Sequence, residues 1–348
     1  MRIGVPREIK DGEFRVSLTP SGVATLASGK QEVVIEPGAG QGVGFSDDDY
    51  VKAGATLGDA WDCELVVKVK ELQEPEYRRP RRGQTLFGFQ HFGPDPELLD
   101  AALVSGATFI AYETVGQSAG LPILAPMSAI AGRLAVQVGA WCLQKQNGGS
   151  GVLLPGLEGI APGKVAIFGA GNVGANALAV AHGMGATVSV FTKTEKRIPA
   201  LRARFPGVHF ATGGPQRIDA DLVIGGVLTP GQMSPKLISR AMLARMRPGS
   251  ALVDVGIDQG GIAETSRPTS HGAPTYVEEG VVYYCVPNMP SACARTASLA
   301  LEQSVLPFIK MIAAGEKSAS LTSGIQVHAG KVTHEHLARD TKRAYTAL

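Results

Sequence analysis

The sequence predicts two α/β domains, each on a mostly parallel, doubly wound sheet, with the second domain inserted into the first. Three observations predict it. Short apolar runs alternate with longer amphipathic segments nearly throughout, the βαβ rhythm of a sheet covered on both faces. Near residue 125 the rhythm breaks at one long amphipathic segment and then restarts. The length of 348 residues suits roughly two domains at ~150 residues each.

Strands are expected in order at Arg2–Val5, Glu32–Ile35, Leu65–Val69, Thr85–Phe87 and Thr108–Ala111, with helical spacing at Pro20–Ala27, Asp47–Ala53 and Pro94–Val104. Met127–Gln146 reads as one long helix, closed by the loop Asn147-Gly148-Gly149-Ser150-Gly151. A second series then places strands at Val165–Phe168, Thr187–Phe191, Asp221–Val227, Ala251–Val255 and Val281–Cys285. Another long helix is expected from Ala297 to Ala314, followed by a polar tail. The resulting layout is a discontinuous domain, 1–123 with 296–348, and an inserted domain, 124–295, joined by the two long helices.

Composition narrows the class. With 44% hydrophobic and 18% charged residues the chain is globular rather than disordered. A net charge of +2 supplies no field for nucleic acid or an anionic membrane. No apolar stretch approaches the ~18 residues that span a bilayer. Arg7, Glu8 and Lys10 interrupt the start too early for a secretion signal. Cys63, Cys142, Cys285 and Cys293 form no CxxC pair, so neither a zinc cage nor a disulfide framework is indicated. The expectation is a cytoplasmic protein with no metal.

The strongest local signal is Gly169-Ala170-Gly171-Asn172-Val173-Gly174. It follows the apolar strand Lys164–Phe168 directly and opens the small-residue helix Ala175–Gly183. A bare GxGxxG is weak in a chain with 44 glycines, but strand before and helix after make it a dinucleotide fingerprint of the Rossmann type. Gly169 allows the tight turn, Gly171 lets backbone approach a pyrophosphate, and Gly174 lets helix and strand pack closely. Helix N–H groups then face the anion. The bland alternative is a glycine-rich βα turn without a ligand.

The next strand ends at Thr192, where NAD sites carry an acid on the adenine ribose. Lys193, Lys196 and Arg197 follow. A carboxylate would repel a 2′-phosphate, whereas a hydroxyl and cations would bind it. NADP(H) is therefore favoured, with NAD(H) left open; the competing reading is an ordinary solvated helix start.

Charged residues at strand ends come next. Lys68 and Lys70 alternate through Val66–Glu71 and are expected on one sheet face. His91 follows the apolar run Leu86–Gln90, Arg15 sits in Glu13–Val16, and Asp258 lies just past the strand Ala251–Val255. Each alone has a structural explanation. Together they occupy the strand ends that border the ligand crevice in open α/β sheets.

These stretches resemble the alanine dehydrogenase and transhydrogenase α-subunit family over nearly the whole chain. The specific parts are Pro6-Arg7-Glu8, Glu13-Phe14-Arg15-Val16, Lys68-Val69-Lys70-Glu71, Ala125-Pro126-Met127-Ser128, Ala131-Gly132-Arg133, Ile257-Asp258-Gln259-Gly260-Gly261 and Asn288-Met289-Pro290. The resemblance implies that Arg15 and Lys70, with Met127 and Asn288, hold the substrate carboxylate side. It makes His91 the acid/base and has Asp258 position water or ammonia. Ser128, the Gly169–Gly174 loop (Asn172 and Val173 included), Val227, Leu228, Ile257 and also Asp258 would line the cofactor. A homo-oligomer, hexameric in the family or smaller, is implied as well. The chain departs from the family at Thr192, where an acid is usual, at Ala129, where Glu is usual, and in a shorter tail.

The residue types suit reduction of a 2-oxo acid to an amino acid. Arg offers a fork and Lys a point charge to a carboxylate. His exchanges protons near neutral pH as a carbinolamine forms and collapses. Lys70 can polarise the carbonyl oxygen as negative charge develops on it. Two other readings stand beside it. One is an opine-type reductase, similar to carboxyethylornithine synthases, joining a 2-oxo acid to an amino-acid amine with NADPH. The other is a soluble hydride-carrying subunit similar to the transhydrogenase α chain, against which His91 and Lys70 count.

Overall fold

Parallel strands must be joined by crossovers of a dozen residues or more, and the spacing of the apolar runs supplies them. The computed structural model describes residues 1–116, 120–227 and 233–348. They divide into two compact units, Met1–Met127 with Ser291–Leu348, and Ser128–Pro290.

The first unit opens with β1 (Arg2–Val5), α1 (Pro20–Ser28), β2 (Glu32–Ile35), α2 (Asp47–Lys52), β3 (Thr56–Leu57), β4 (Leu65–Val67), β5 (Thr85–Gly88), α3 (Pro96–Ser105) and β6 (Thr108–Ala111). β1 pairs in parallel with both β2 and β4, setting Ile3 opposite Val33 on one side and Leu65 on the other. Its last three residues are all buried, as are those of β2 and all of β4. Burial on both faces is why these strands read as continuous apolar runs rather than as alternation. α2 starts with a reciprocal cap in which Ser46 accepts from the Asp49 N–H and the Asp49 carboxylate accepts from the Ser46 N–H.

The second unit carries β7 (Lys164–Phe168), α5 (Asn172–Gly183), β8 (Thr187–Thr192), α6 (Ile198–Arg204), β9 (His209–Thr212), β10 (Leu222–Gly225), α7 (Arg240–Leu243), β11 (Ala251–Asp254), β12 (Thr275–Glu278) and β13 (Val281–Tyr284). The sheet order is β12-β13-β11-β10-β7-β8-β9, with only β12 antiparallel. The order reverses on either side of β7, so the Gly-rich turn leaves the sheet at its switch point. Phe168, Val223, Leu252, Ile262 and Tyr283 belong to its core. The long helix α4 (Leu124–Cys142) precedes β7 in the chain.

Two boundaries differ from expectation there. α4 starts three residues earlier, because Pro126 falls in the first turn, where no N–H is needed. It stops at Cys142, and a separate 3₁₀ turn, Lys145–Asn147, ends on Gly148 with φ 84°. The units meet at 127/128 and 290/291, against the 124–295 insert expected.

The chain then forms α8 (Ala294–Ala313) and returns to the first sheet through β14 (Ile325–His328) and β15 (Lys331–Val332). The order there is β15-β14-β6-β5-β4-β1-β2-β3. The segment expected as a polar tail is therefore structural: β14 pairs antiparallel with β6, and Val327, Val332 and Leu337 join Leu86, Phe92 and Phe109 in one core. Among the described residues no helix is long and apolar enough to cross a membrane. No group of three or more His, Cys, Asp or Glu among them could hold a metal ion.

Candidate active site in two parts

In the second unit, Gly169 turns with φ 104° directly after β7. A Cβ on Gly174 would overlap the carbonyl oxygen of Gly169, so only glycine lets α5 start this close to the strand. A Cβ on Gly171 would meet nothing within 4 Å, which leaves an open face on the loop. The first turn of α5 has no acidic residue and no side-chain cap, so its N–H groups suit an anion. These features fit a nucleotide pyrophosphate. Val173 is buried and Asn172 exposed at the same helix start. Gly132 of α4 packs against the backbone of Val173, and Arg133 donates from Nε to Asn176 at 3.0 Å. That contact accounts for the Ala131-Gly132-Arg133 motif.

β8 ends at Thr192, half-buried, followed by exposed Lys193 and Arg197. Arg197 folds back on the loop, with Nη1 donating to the carbonyl of Ala170 at 3.1 Å. Thr192 Oγ1 donates to the carbonyl of Thr194 at 3.4 Å. Ser128 is half-buried at the start of this unit. Val227, two residues past β10, accepts through its carbonyl from Ser234 Oγ at 3.4 Å. Leu228 lies outside the described residues.

β11 ends on Asp254, fully buried, which the sequence reading passed over. Burial pushes its carboxyl up, while Ser266 Oγ (2.6 Å) and the Ile262 N–H (2.8 Å) donate to it. Those bonds tie 262–266 back to the strand end. The intervening turn Ile257–Gln259 buries Ile257 and leaves Asp258 exposed. Asn288 adopts φ 57°, the left-handed region, next to buried Met289.

In the first unit, residues 8–17 run along the C-terminal end of β4. The Val69 N–H donates to Glu8 at 2.6 Å, and Ser17 Oγ donates to the Val67 carbonyl at 2.8 Å. The strand stops at Val67, two residues short of expectation, and Lys68 and Lys70 do not share an environment. Lys68 is buried between Glu76 (2.8 Å) and Glu8 (3.3 Å), a structural triad. The two carboxylates compensate its desolvation and raise its pKa. Lys70 is only half-buried and lies 6.0 Å from the Phe89 ring centroid.

His91 stacks on Phe89 with centroids 5.6 Å apart and planes at 2°. Its Nδ1 is 2.7 Å from Glu71 Oε2, and Lys10 pairs with the other oxygen of that carboxylate. Burial alone would raise the Glu71 carboxyl. The hydrogen bond and charge of His91, the charge of Lys70 and the bond from Lys10 hold it instead well below the usual carboxylate range. His91 itself has φ 47°, a conformation costing ~1–3 kcal/mol for a side-chain-bearing residue. Glu113 holds it there, accepting from the N–H groups of Gln90 (3.1 Å) and His91 (2.8 Å).

Arg15 is buried and forked on Glu13, Nε to Oε1 at 2.7 Å and Nη2 to Oε2 at 2.6 Å. Nη1 reaches the sulfur of Met127, itself buried, at 3.2 Å. The sequence reading named Arg15 and Met127 but not Glu13. Glu13, Glu71 and Glu113, like Asp254, have roles it did not assign; Glu13 and Glu71 stand near Arg15 and Lys70 in the motifs, whereas Glu113 lies in none of them.

Comparison with known proteins follows the same division. Residues 4–131 match the family described as "Alanine dehydrogenase/PNT, N-terminal domain", and 135–335 match its C-terminal domain. An alanine dehydrogenase of Halomonas elongata is 48% identical over 356 residues, covering 97% of this chain and 96% of its own. That of Mycobacterium tuberculosis is 43% identical over 364 residues, covering 99% and 98%. A solved L-alanine dehydrogenase superposes with a TM-score of 0.94 at 44% identity, covering 98% of this chain and 99% of its own. The transhydrogenase from Sinorhizobium meliloti reaches 0.82 at 25% identity, covering 96% and 99%. With both domain models matched in order and the whole length aligned, the chain belongs to the alanine dehydrogenase/PNT family and is an NAD(P)-dependent amino-acid dehydrogenase.

Proposed function

We propose that the chain reductively aminates pyruvate, or a closely related 2-oxo acid, with ammonia and NADPH, and deaminates the amino acid in reverse. The observation that carries the reading is His91, held in a left-handed backbone by Glu113 and bonded through Nδ1 to Glu71, with Lys70 against the same Phe89 ring. A permanent cation beside an imidazole is the equipment for a carboxylate substrate that must exchange protons. Residues 1–123 with 296–348 serve as the substrate domain and 124–295 as the dinucleotide domain.

On this reading Arg15 and Lys70 bind the substrate carboxylate, Met127 and Asn288 are further substrate-binding residues, and Lys70 polarises the carbonyl oxygen. His91 takes a proton from the incoming amine at Nε2 and returns it to the departing hydroxyl. Asp258 orients ammonia or water for attack. The Gly169–Gly174 loop would hold the pyrophosphate of the dinucleotide, whose nicotinamide would supply the hydride. Ser128, Val227, Leu228 and Ile257 line its site, and Thr192, Lys193 and Arg197 favour a 2′-phosphate. Support for NADP(H) is the placement of Arg197 on the Ala170 carbonyl with no acid at the β8 terminus. We further read the protein as a cytoplasmic homo-oligomer.

The test is a panel of initial rates with NADH and NADPH against several 2-oxo acids, with ammonia, ornithine, lysine or no amine. Ammonia-dependent turnover of pyruvate with NADPH is expected. Turnover with ornithine or lysine alone would favour the opine-type reaction, and a tenfold preference for NADH would overturn the cofactor assignment.

A further inference from the structure

We infer that Glu71 is the positioning residue of this site, setting which nitrogen of His91 faces the substrate, with Lys10 tuning it from behind; the inference rests on the acid/base reading of His91. The Glu71 carboxylate lies 2.7 Å from Nδ1, and its side chain is only 10% exposed. An ionised carboxylate only accepts hydrogen bonds, so Nδ1 carries the hydrogen and Nε2 the lone pair of the neutral ring. His91 is also stacked flat on Phe89 and fixed in its backbone by Glu113, contacts that hold the ring where Nδ1 meets Glu71. Glu71 is therefore the contact that selects the tautomer among the described residues.

Lys10 occupies the oxygen of Glu71 that His91 does not use. The charged groups around the imidazole are thus Glu71 against the ring, Lys10 behind it, Lys70 beside Phe89, and Glu113 on the backbone side. This arrangement makes two opposite forecasts. Removing the Glu71 charge withdraws support from the imidazolium. Removing the Lys10 charge leaves Glu71 uncompensated and strengthens that support.

The experiment measures kcat against pH for wild type, Glu71→Gln, Lys10→Met and His91→Ala, with pyruvate, ammonia and saturating NADPH. Gln keeps an acceptor for Nδ1–H and a similar shape, so folding is followed alongside by circular dichroism and nucleotide Kd. The pH limb that His91→Ala abolishes should move to lower pH in Glu71→Gln, with kcat down about tenfold to a hundredfold. The same limb should move to higher pH in Lys10→Met. A purely structural role would lower amplitudes without displacing the limb in opposite directions. If Glu71→Gln does not fold, the Lys10→Met displacement still decides. An unmoved limb in the variants, while His91→Ala loses it, overturns the positioning role. Survival of the limb in His91→Ala overturns the acid/base reading and the positioning role with it.

Discussion

Glu13 grips Arg15 through a two-point fork, Nε to Oε1 at 2.7 Å and Nη2 to Oε2 at 2.6 Å, with both side chains buried. The pair pre-orients the guanidinium, leaving its Nη1 edge towards Met127. Removing either partner would strand the other charge, at a cost of ~3–5 kcal/mol. Arg15→Ala therefore confounds binding with folding, and Arg15→Lys is the informative change. It keeps the charge and loses the fork. KM for the oxo acid should rise about tenfold or more, equivalent to ~1.4 kcal/mol, with nucleotide Kd unchanged. An unaltered KM would place Arg15 outside substrate binding.

The proposed preference for NADP(H) places the 2′-phosphate at the end of β8. Thr192→Asp should move preference towards NADH by at least about tenfold, because a carboxylate repels a 2′-phosphate and accepts from a ribose hydroxyl. Arg197→Ala should raise KM for NADPH more than for NADH. Equal effects on the two nucleotides would mean that Arg197 only braces the Ala170 carbonyl.

Gly174→Ala tests the loop geometry. Its new methyl would collide with the carbonyl oxygen of Gly169, forcing α5 away from β7. Overpacking of this kind costs ~1–3 kcal/mol. Both a lowered Tm and a nucleotide Kd weakened at least about tenfold are expected from thermal scans and fluorescence titration. Normal nucleotide affinity would show that the loop does not carry the pyrophosphate.

The C-terminal hairpin offers a test of stability. Val327 is fully buried and pairs with Phe109 across β14 and β6. Val327→Ala should destabilise the first unit by about 2 kcal/mol from lost methyl burial and the cavity left behind. Thermal unfolding would register it as a lower Tm, and an unchanged Tm would mean the hairpin is an appendage.

What was legible in the sequence follows from where the information resides. Arg2–Val5, Glu32–Ile35 and Thr108–Ala111 are strands at the expected residues because both-sided burial writes itself as an unbroken apolar run. His209–Thr212 and Thr275–Glu278 were not legible, since both are partly exposed edge strands that need no such run. The tail hairpin hid for a related reason: β14 is only four residues long and buries just its two central ones, Gln326 and Val327. In the site, the glycine loop could be read because all its parts are adjacent in sequence. The pairing of His91 with Glu71 joins residues 20 apart, and that of Arg197 with Ala170 joins residues 27 apart. Such partners are selected by the fold. Adjacency in a motif names the basic group but not the acid that orients it.

The central claim is that His91 moves the protons of the reaction without contributing to nucleotide binding. The direct measurement is kcat of His91→Ala with pyruvate, ammonia and NADPH, taken together with its NADPH Kd. The expected result is a fall in kcat of ~10²–10⁴-fold, the usual worth of a general acid/base, with Kd within about twofold of wild type. A near-normal kcat at unchanged Kd would contradict the account.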